Sequence, residues 1–196
     1  MIRLAALASI ASLSLAACGA PPPEPADAPA RPTEPEAAVP AVDRLTAEGF
    51  GPLRIGMTRA EVVAALGPDA NPDAVGGPDP ESCDMFRPER APEGLLVMVE
   101  DGVLTSVWIS RNTAVETDRA LKVGDPAAEV KRIYGGAAVV EPHKYVEAPA
   151  EYITVWSTTD RRGPASRGLT YQIGADGRVQ SIAGGGPSIQ YVEGCA

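Results

Sequence analysis

An α+β fold is predicted, built of two tandem units that each set one helix beside an antiparallel sheet. Three observations predict it. Residues 53–67, LRIGMTRAEVVAALG, are echoed 68 residues later by 121–135, LKVGDPAAEVKRIYG. Each copy has Leu, a base, a β-branched residue and Gly, then Ala-Glu-Val three residues on and a closing Gly. Apolar runs in each half are separated by turns containing Asp-Gly, a strong hairpin signal. Alternating segments such as EYITVWS at 151–157 add half-buried strands. Two copies are too few for a solenoid. They suit two sheet segments joined edge to edge, with the helices on one face, after a disordered Pro-rich N-terminal segment.

The elements follow in order. Leu53-Arg54-Ile55 reads as a short strand before a Gly turn. Thr58 and Glu61 form a T-x-x-E capping box, in which each side chain satisfies an orphan amide at the helix start. The helix runs to about Leu66 and stops at Gly67-Pro68. Val62, Ala65 and Leu66 supply its apolar stripe. In the second unit Asp125 is the expected cap, with Pro126 at the first helical position. Val130 and Ile133 take the places of Val62 and Ala65. Strands are expected at 95–99 and 103–109, then at 151–157, 169–173 and 178–182. The globular domain spans 45–196, with repeats at about 45–115 and 116–196.

Before it, residues 1–17 carry one charge, Arg3, then LAALASIASLSLAA. A basic start, a short apolar core and small residues mark a secretory leader. Leu15-Ala16-Ala17-Cys18 resembles the lipobox of bacterial lipoproteins. The resemblance implies cleavage before Cys18, a diacylglycerol on its sulfur and an acyl chain on its amino group. Several chains anchor firmly where one binds marginally. Gly19 stands where enteric lipoproteins kept in the inner membrane carry Asp, so the expected location is the outer membrane, facing the periplasm. Residues 18–44 are the lipidated cysteine and a Pro/Ala-rich linker, with eight prolines in 19–43. Such a run favours extended polyproline II and reaches roughly 75 Å at most.

The 196-residue chain has 17 Lys+Arg against 26 Asp+Glu, a net charge of −9. This acidity argues against nucleic acid, which needs clustered bases to neutralise phosphates. No G-x-S-x-G elbow, H-E-x-x-H pair or phosphate-binding Gly loop is present. No catalytic, cofactor or metal set is predicted, and the chain reads as a non-enzyme. The expected partners are the membrane, through the N-terminal lipid, and another envelope protein.

Gly56-Met57-Thr58, Val62 and Leu66-Gly67-Pro68 resemble the GMT-x-x-x-V-x-x-x-L-G segment of the small outer-membrane assembly lipoproteins (the SmpA/OmlA, or BamE, family). The duplicated plan resembles the β-lactamase inhibitor protein, whose helix-plus-sheet repeats present a concave sheet to a protein partner. Together they imply a periplasmic, non-catalytic protein that binds other proteins.

With Cys18 acylated, Cys83 and Cys195 remain as an even pair in an oxidising compartment, and they are expected to bond. The bridge would tie the last residues to the loop after the first helix. The closed loop is long, so chain entropy gives about 4–5 kcal/mol. His143 is the lone histidine. The alternative function is therefore a periplasmic small-ligand binder or a hydrolase using His143, which would need a nucleophile and an orienting acid to converge there. Arg161, Arg162 and Arg167 concentrate in a loop and read as a solvated turn or an anion-facing one.

Strand alternation sorts side chains between two faces. Val97, Val99, Val107, Ile109, Ile153 and Val155 form a core-like set. Met98, Leu104, Trp108, Tyr152, Thr154 and Trp156 form the other, the candidate partner-binding face. Exposed Trp, Tyr and Met are what interfaces concentrate. Loops or termini that buried these aromatics would make them core instead.

Overall fold

Reciprocal hydrogen bonds at Thr58 set the start of the first helix. Its hydroxyl accepts Glu61 N–H at 3.3 Å, and the Glu61 carboxylate accepts Thr58 N–H at 2.8 Å. This is the capping box, and α1 (Arg59–Leu66) runs from it to Gly67. The geometry comes from a computed structural model, which describes residues 43–74 and 76–195. The leader, Cys18 and the Pro-rich linker lie outside the described residues. The second helix, α2 (Ala127–Tyr134), begins differently: Pro126 is its N-cap and no side chain caps it. Asp125, the expected cap, sits one residue too early and accepts Lys122 N–H at 2.9 Å instead.

Three two-residue strands, β1 (Leu45–Thr46), β2 (Gly49–Phe50) and β3 (Leu53–Arg54), form a small antiparallel sheet ahead of α1. The main sheet contains β4 (Cys83–Phe86), β5 (Leu95–Glu100), β6 (Val103–Ser110), β7 (Ala138–Pro142), β8 (Glu151–Trp156), β9 (Gly168–Ile173) and β10 (Val179–Gly185). Their spatial order is β4-β5-β6-β10-β9-β8-β7, antiparallel throughout. The architecture is thus α+β, with two antiparallel sheets and few helices. β4 and β7 are the edge strands, and both escape sequence alternation. CDMF is only four residues with a buried acid, and AVVEP ends on a proline that can sit only at an edge or strand end.

The same backbone contacts occur at both helix entrances. Gly56 N–H donates to Leu104 O at 2.8 Å, and Gly124 N–H to Val179 O at 2.9 Å. Leu104 N–H donates to Met57 O at 2.8 Å, and Val179 N–H to Asp125 O at 2.9 Å. Arg59 N–H reaches Gly102 O at 2.9 Å, and Ala127 N–H reaches Gly177 O at 3.0 Å. Gly56 and Gly124 hold φ of +99° and +94°, backbone that a side chain would strain. Each turn is thereby pulled against the last strand of its own half.

Those two strands each hold one extra residue. Val99 pairs with Leu104 while Met98 pairs with Ser106, which leaves Thr105 bulged out of β6. Ile173 pairs with Val179 while Gln172 pairs with Ser181, which leaves Gln180 bulged out of β10. A bulge reverses the alternation beyond it. Leu104 therefore shares a face with Val97, Val99, Val107 and Ile109, and not with Trp108. This corrects its assignment to the candidate binding face: Leu104 is fully buried in the aliphatic core.

That core joins Val62 of α1 and Val130 of α2 to Val97, Val107, Ile153 and Ile182 in one cluster. Tyr171 lies fully inside it, its hydroxyl 2.9 Å from that of Tyr134. Burial, with the neighbouring Tyr134, pushes the Tyr171 phenol well above its ordinary value. An unfolded tyrosine loses its proton near pH 10, and the folded one does not. Stability is therefore complete below about pH 10 and falls as pH rises beyond it. Tyr171→Phe is expected to flatten this alkaline loss, at a neutral-pH cost of about 1 kcal/mol for the hydrogen bond. Urea melts on both sides of pH 10 measure the slope.

Candidate functional site

Past β10 the chain stays on the sheet. Gly186 N–H donates to Thr105 O at 2.9 Å, and a one-turn 3-10 helix, Pro187–Gln190, follows. It lays Ile189, 1% exposed, across the face opposite the aliphatic core. Gly168 makes room: a Cβ there would lie 3.1 Å from Ile189 Cδ1 and 2.7 Å from Val155 O. The segment continues to the far edge, where Cys195 bonds Cys83 with the Cα atoms 5.5 Å apart. Cys83 is the first residue of β4, not part of the loop after α1. Residues 186–195 thus form a strap, fixed at one end by β10 and at the other by a covalent bond.

Between strap and sheet lies a cleft of about 320 Å³. Strand register places Thr154, Thr170, Gln172 and Ser181 on its floor. Trp108 and Tyr152 rise from the same face as walls. Ile189, Gln190, Tyr191 and Val192 of the strap close it from above, and Glu141, Pro142 and Lys144 stand at the mouth. The floor groups pair among themselves. Thr154 Oγ1 lies 3.0 Å from Thr170 Oγ1, and Ser181 Oγ lies 2.9 Å from the Gln172 amide. Trp108 Nε1–H donates to Ser106 Oγ at 2.8 Å. The Tyr152 hydroxyl is buried beside the Lys144 backbone. Burial raises the Tyr152 phenol, and Glu100 raises that of Tyr191.

His143 supports this wall. Its ring stacks on Tyr152 with centroids 4.7 Å apart. Nδ1 faces the N–H groups of Tyr145 at 3.1 Å and Val146 at 3.2 Å, so Nδ1 is the acceptor. A neutral imidazole then donates through Nε2. Nε2 lies 2.9 Å from the Gln172 amide nitrogen, and the pair becomes complementary when that amide is turned over so that its carbonyl receives the proton. Both ring nitrogens are therefore engaged in holding the 143–146 turn and Gln172. The Tyr145 hydroxyl in turn donates to Glu193 and ties the turn to the strap.

The candidate face divides as follows. Trp108, Tyr152 and Thr154 line the cleft. Met98 shares the face but is fully buried, with Ser106 Oγ 3.5 Å from its sulfur. Trp156 is half-buried at the end of β8 beside Gly168, outside the lining. Thr170, Gln172 and Ser181 were missed. The alternation in LTYQI already put Thr170 and Gln172 on one face, whereas Ser181 depends on the bulge. Of the arginines, Arg167 turns inward to Pro164 O and Ser166 O, with Nε 3.5 Å from Glu48, while Arg161 and Arg162 stay exposed. Among the described residues no group of three His, Cys, Asp or Glu is placed to hold a metal ion, and no helix is long and apolar enough to cross a membrane.

No protein-family model and no curated protein matches the chain. Among solved structures, an extracellular protein containing an SCP domain from Bacillus anthracis str. Ames aligns at 7% identity and a TM-score of 0.42. The alignment covers 67% of this chain and 44% of that one, so the chain spans under half of that protein's length. A DUF4309 family protein (YjgB) from Bacillus subtilis subsp. subtilis str. 168 aligns at 18% identity and a TM-score of 0.40, over 66% of this chain and 78% of that one.

Proposed function

We propose that this chain is a non-catalytic binding module, held at the outer membrane by lipid on Cys18 and raised into the periplasm by the linker. In this reading its domain is a duplication. The matched hydrogen bonds at the helix entrances and the matched bulges at Thr105 and Gln180 support two copies of one unit. The halves meet where β6 pairs β10, each with its last strand, so strand order is mirrored about that seam. Such a two-fold relation sets both helices on one side of the sheet and leaves the other side for binding.

The observation that carries the reading is the roofed cleft on that other side. It concentrates aromatic walls and neutral polar groups under a covalently tied strap. His143, the one candidate general base of its type, is used to position Gln172 and a turn. A roofed cleft suits a compact ligand, or one projecting group of an envelope partner, better than a broad flat surface. A second reading, an envelope-assembly module that docks a protein partner, is supported by the exposed Tyr145, Tyr191 and Val192 around the rim.

Two experiments test this. Cys18→Ala is expected to move the protein from the membrane fraction to the soluble periplasm; continued pelleting would remove the lipid anchor from the proposal. A photo-crosslinking side chain at Gln190, above the cleft, is expected to capture an envelope component in living cells. The same side chain at Arg132 on α2 is not. Equal capture at both positions, or none at Gln190, would overturn the assignment of the binding side.

A further inference from the structure

We infer that the cleft under the strap is a site for a neutral, polyhydroxylated ligand, a short glycan seated between the Trp108 and Tyr152 walls over the Gln172–Ser181 floor. The inference rests on the binding reading above and adds the ligand class to it.

The floor is made of groups that both donate and accept. Thr154, Thr170 and Ser181 each carry a hydroxyl, and Gln172 an amide with both polarities. Each is paired once within the floor, and Gln172 once more with His143 Nε2, which leaves the hydroxyl groups' remaining donors and lone pairs for a ligand with the same mixed character. Sugar hydroxyls have that character. The walls need the opposite chemistry. Trp108 spends its N–H on Ser106, so its ring enters the cleft as apolar surface. An aromatic face beside polar neighbours fits a pyranose ring, whose C–H faces are apolar and whose rim is hydroxylated.

Other ligand classes fit less well. Lys144 and Glu141 bring one charge of each sign to the lining, and the chain as a whole is at −9, which disfavours anions. An acyl chain would cover four polar floor groups and leave their remaining donors and lone pairs unmet. An extended peptide binds by adding to a free strand edge. The strands beneath the cleft, β6, β10, β9 and β8, are paired on both sides. The one edge strand at the cleft, β7, offers Glu141 and Pro142 there, and Pro142 has no N–H. The volume, about 320 Å³, lies at the small end of ligand pockets and suits one or two sugar rings at a time.

The test uses the full chain, purified from membranes in a detergent without sugar head groups, with Trp156→Phe so that Trp108 alone reports. Triacetylchitotriose and cellotriose are the sugar probes; Ala-Tyr-Ala and palmitate are the controls. A saturable change in Trp108 emission is expected with at least one sugar. Gln172→Ala and Ser181→Ala, each checked for an unchanged melt, are expected to weaken it about tenfold or more. No saturable change with either sugar overturns the inference, as does binding that both variants leave intact. Saturation by the peptide or palmitate alone overturns the glycan class while the binding reading stands. Failure of the sugars together with failure of capture at Gln190 removes both.

Discussion

Leu104→Ala is expected to lower stability by about 2–5 kcal/mol, the range for emptying a fully buried leucine site. The side chain has no solvent exposure and belongs to the cluster formed with Val62, Val99 and Val107. Relaxation into the gap is hindered because its backbone is pinned on both sides, Leu104 N–H to Met57 O and Gly56 N–H to Leu104 O. Simple alternation along β6 would instead put Leu104 beside Trp108. The truncation would then disturb the cleft and leave the core whole. Val103→Ala, one residue earlier and exposed, is the control, with an effect within about 0.5 kcal/mol. Urea melts of the two variants separate these outcomes. A loss under about 1 kcal/mol at Leu104 would contradict its place in the core.

Replacing both Cys83 and Cys195 by Ser is expected to cost about 2–5 kcal/mol, with a local signature at the strap. The bridge closes 112 residues and holds the strap's far end to an edge strand. Without it, residues 191–195 keep only lesser ties, such as Tyr145 to Glu193, while Ile189 stays buried near the anchored end. Hydrogen exchange is therefore expected to speed up first at Tyr191, whose N–H donates to Ser188 O, and to change least in the β6–β10 and β9–β10 pairs. A uniform change across the sheet would mean that the strap unfolds with the domain and has no separate mobility. Glycan binding should weaken in the same variant, because residues 189–192 of the strap form part of the cleft's lining.

Much of the α+β fold was legible because its signals are local. The Thr58–Glu61 box, Gly67 and the Asp-Gly turns act within a few residues. Apolar runs at 95–99, 103–109, 151–157, 169–173 and 178–182 became strands near those limits, Leu95–Glu100, Val103–Ser110, Glu151–Trp156, Gly168–Ile173 and Val179–Gly185. The expected cap at Asp125 failed because a cap depends on one-residue placement, and Pro126 already occupied the N-cap. Three of the six candidate face residues reached the cleft; Leu104 did not, and Met98 and Trp156 lie on the same face outside it.

Sequence alone therefore determined the first helix entrance, the Asp-Gly hairpins and the pairing partner of each late cysteine, since short-range hydrogen bonds and an even thiol count carry that information. Tertiary structure decided which way β6 and β10 face and what covers them. The bulges at Thr105 and Gln180 sit beside long-range bonds to Met57 and Asp125, and the strap's path is imposed by a bond between residues 112 apart. No local pattern encodes a strand's parity once a distant backbone group has pulled one residue out of register.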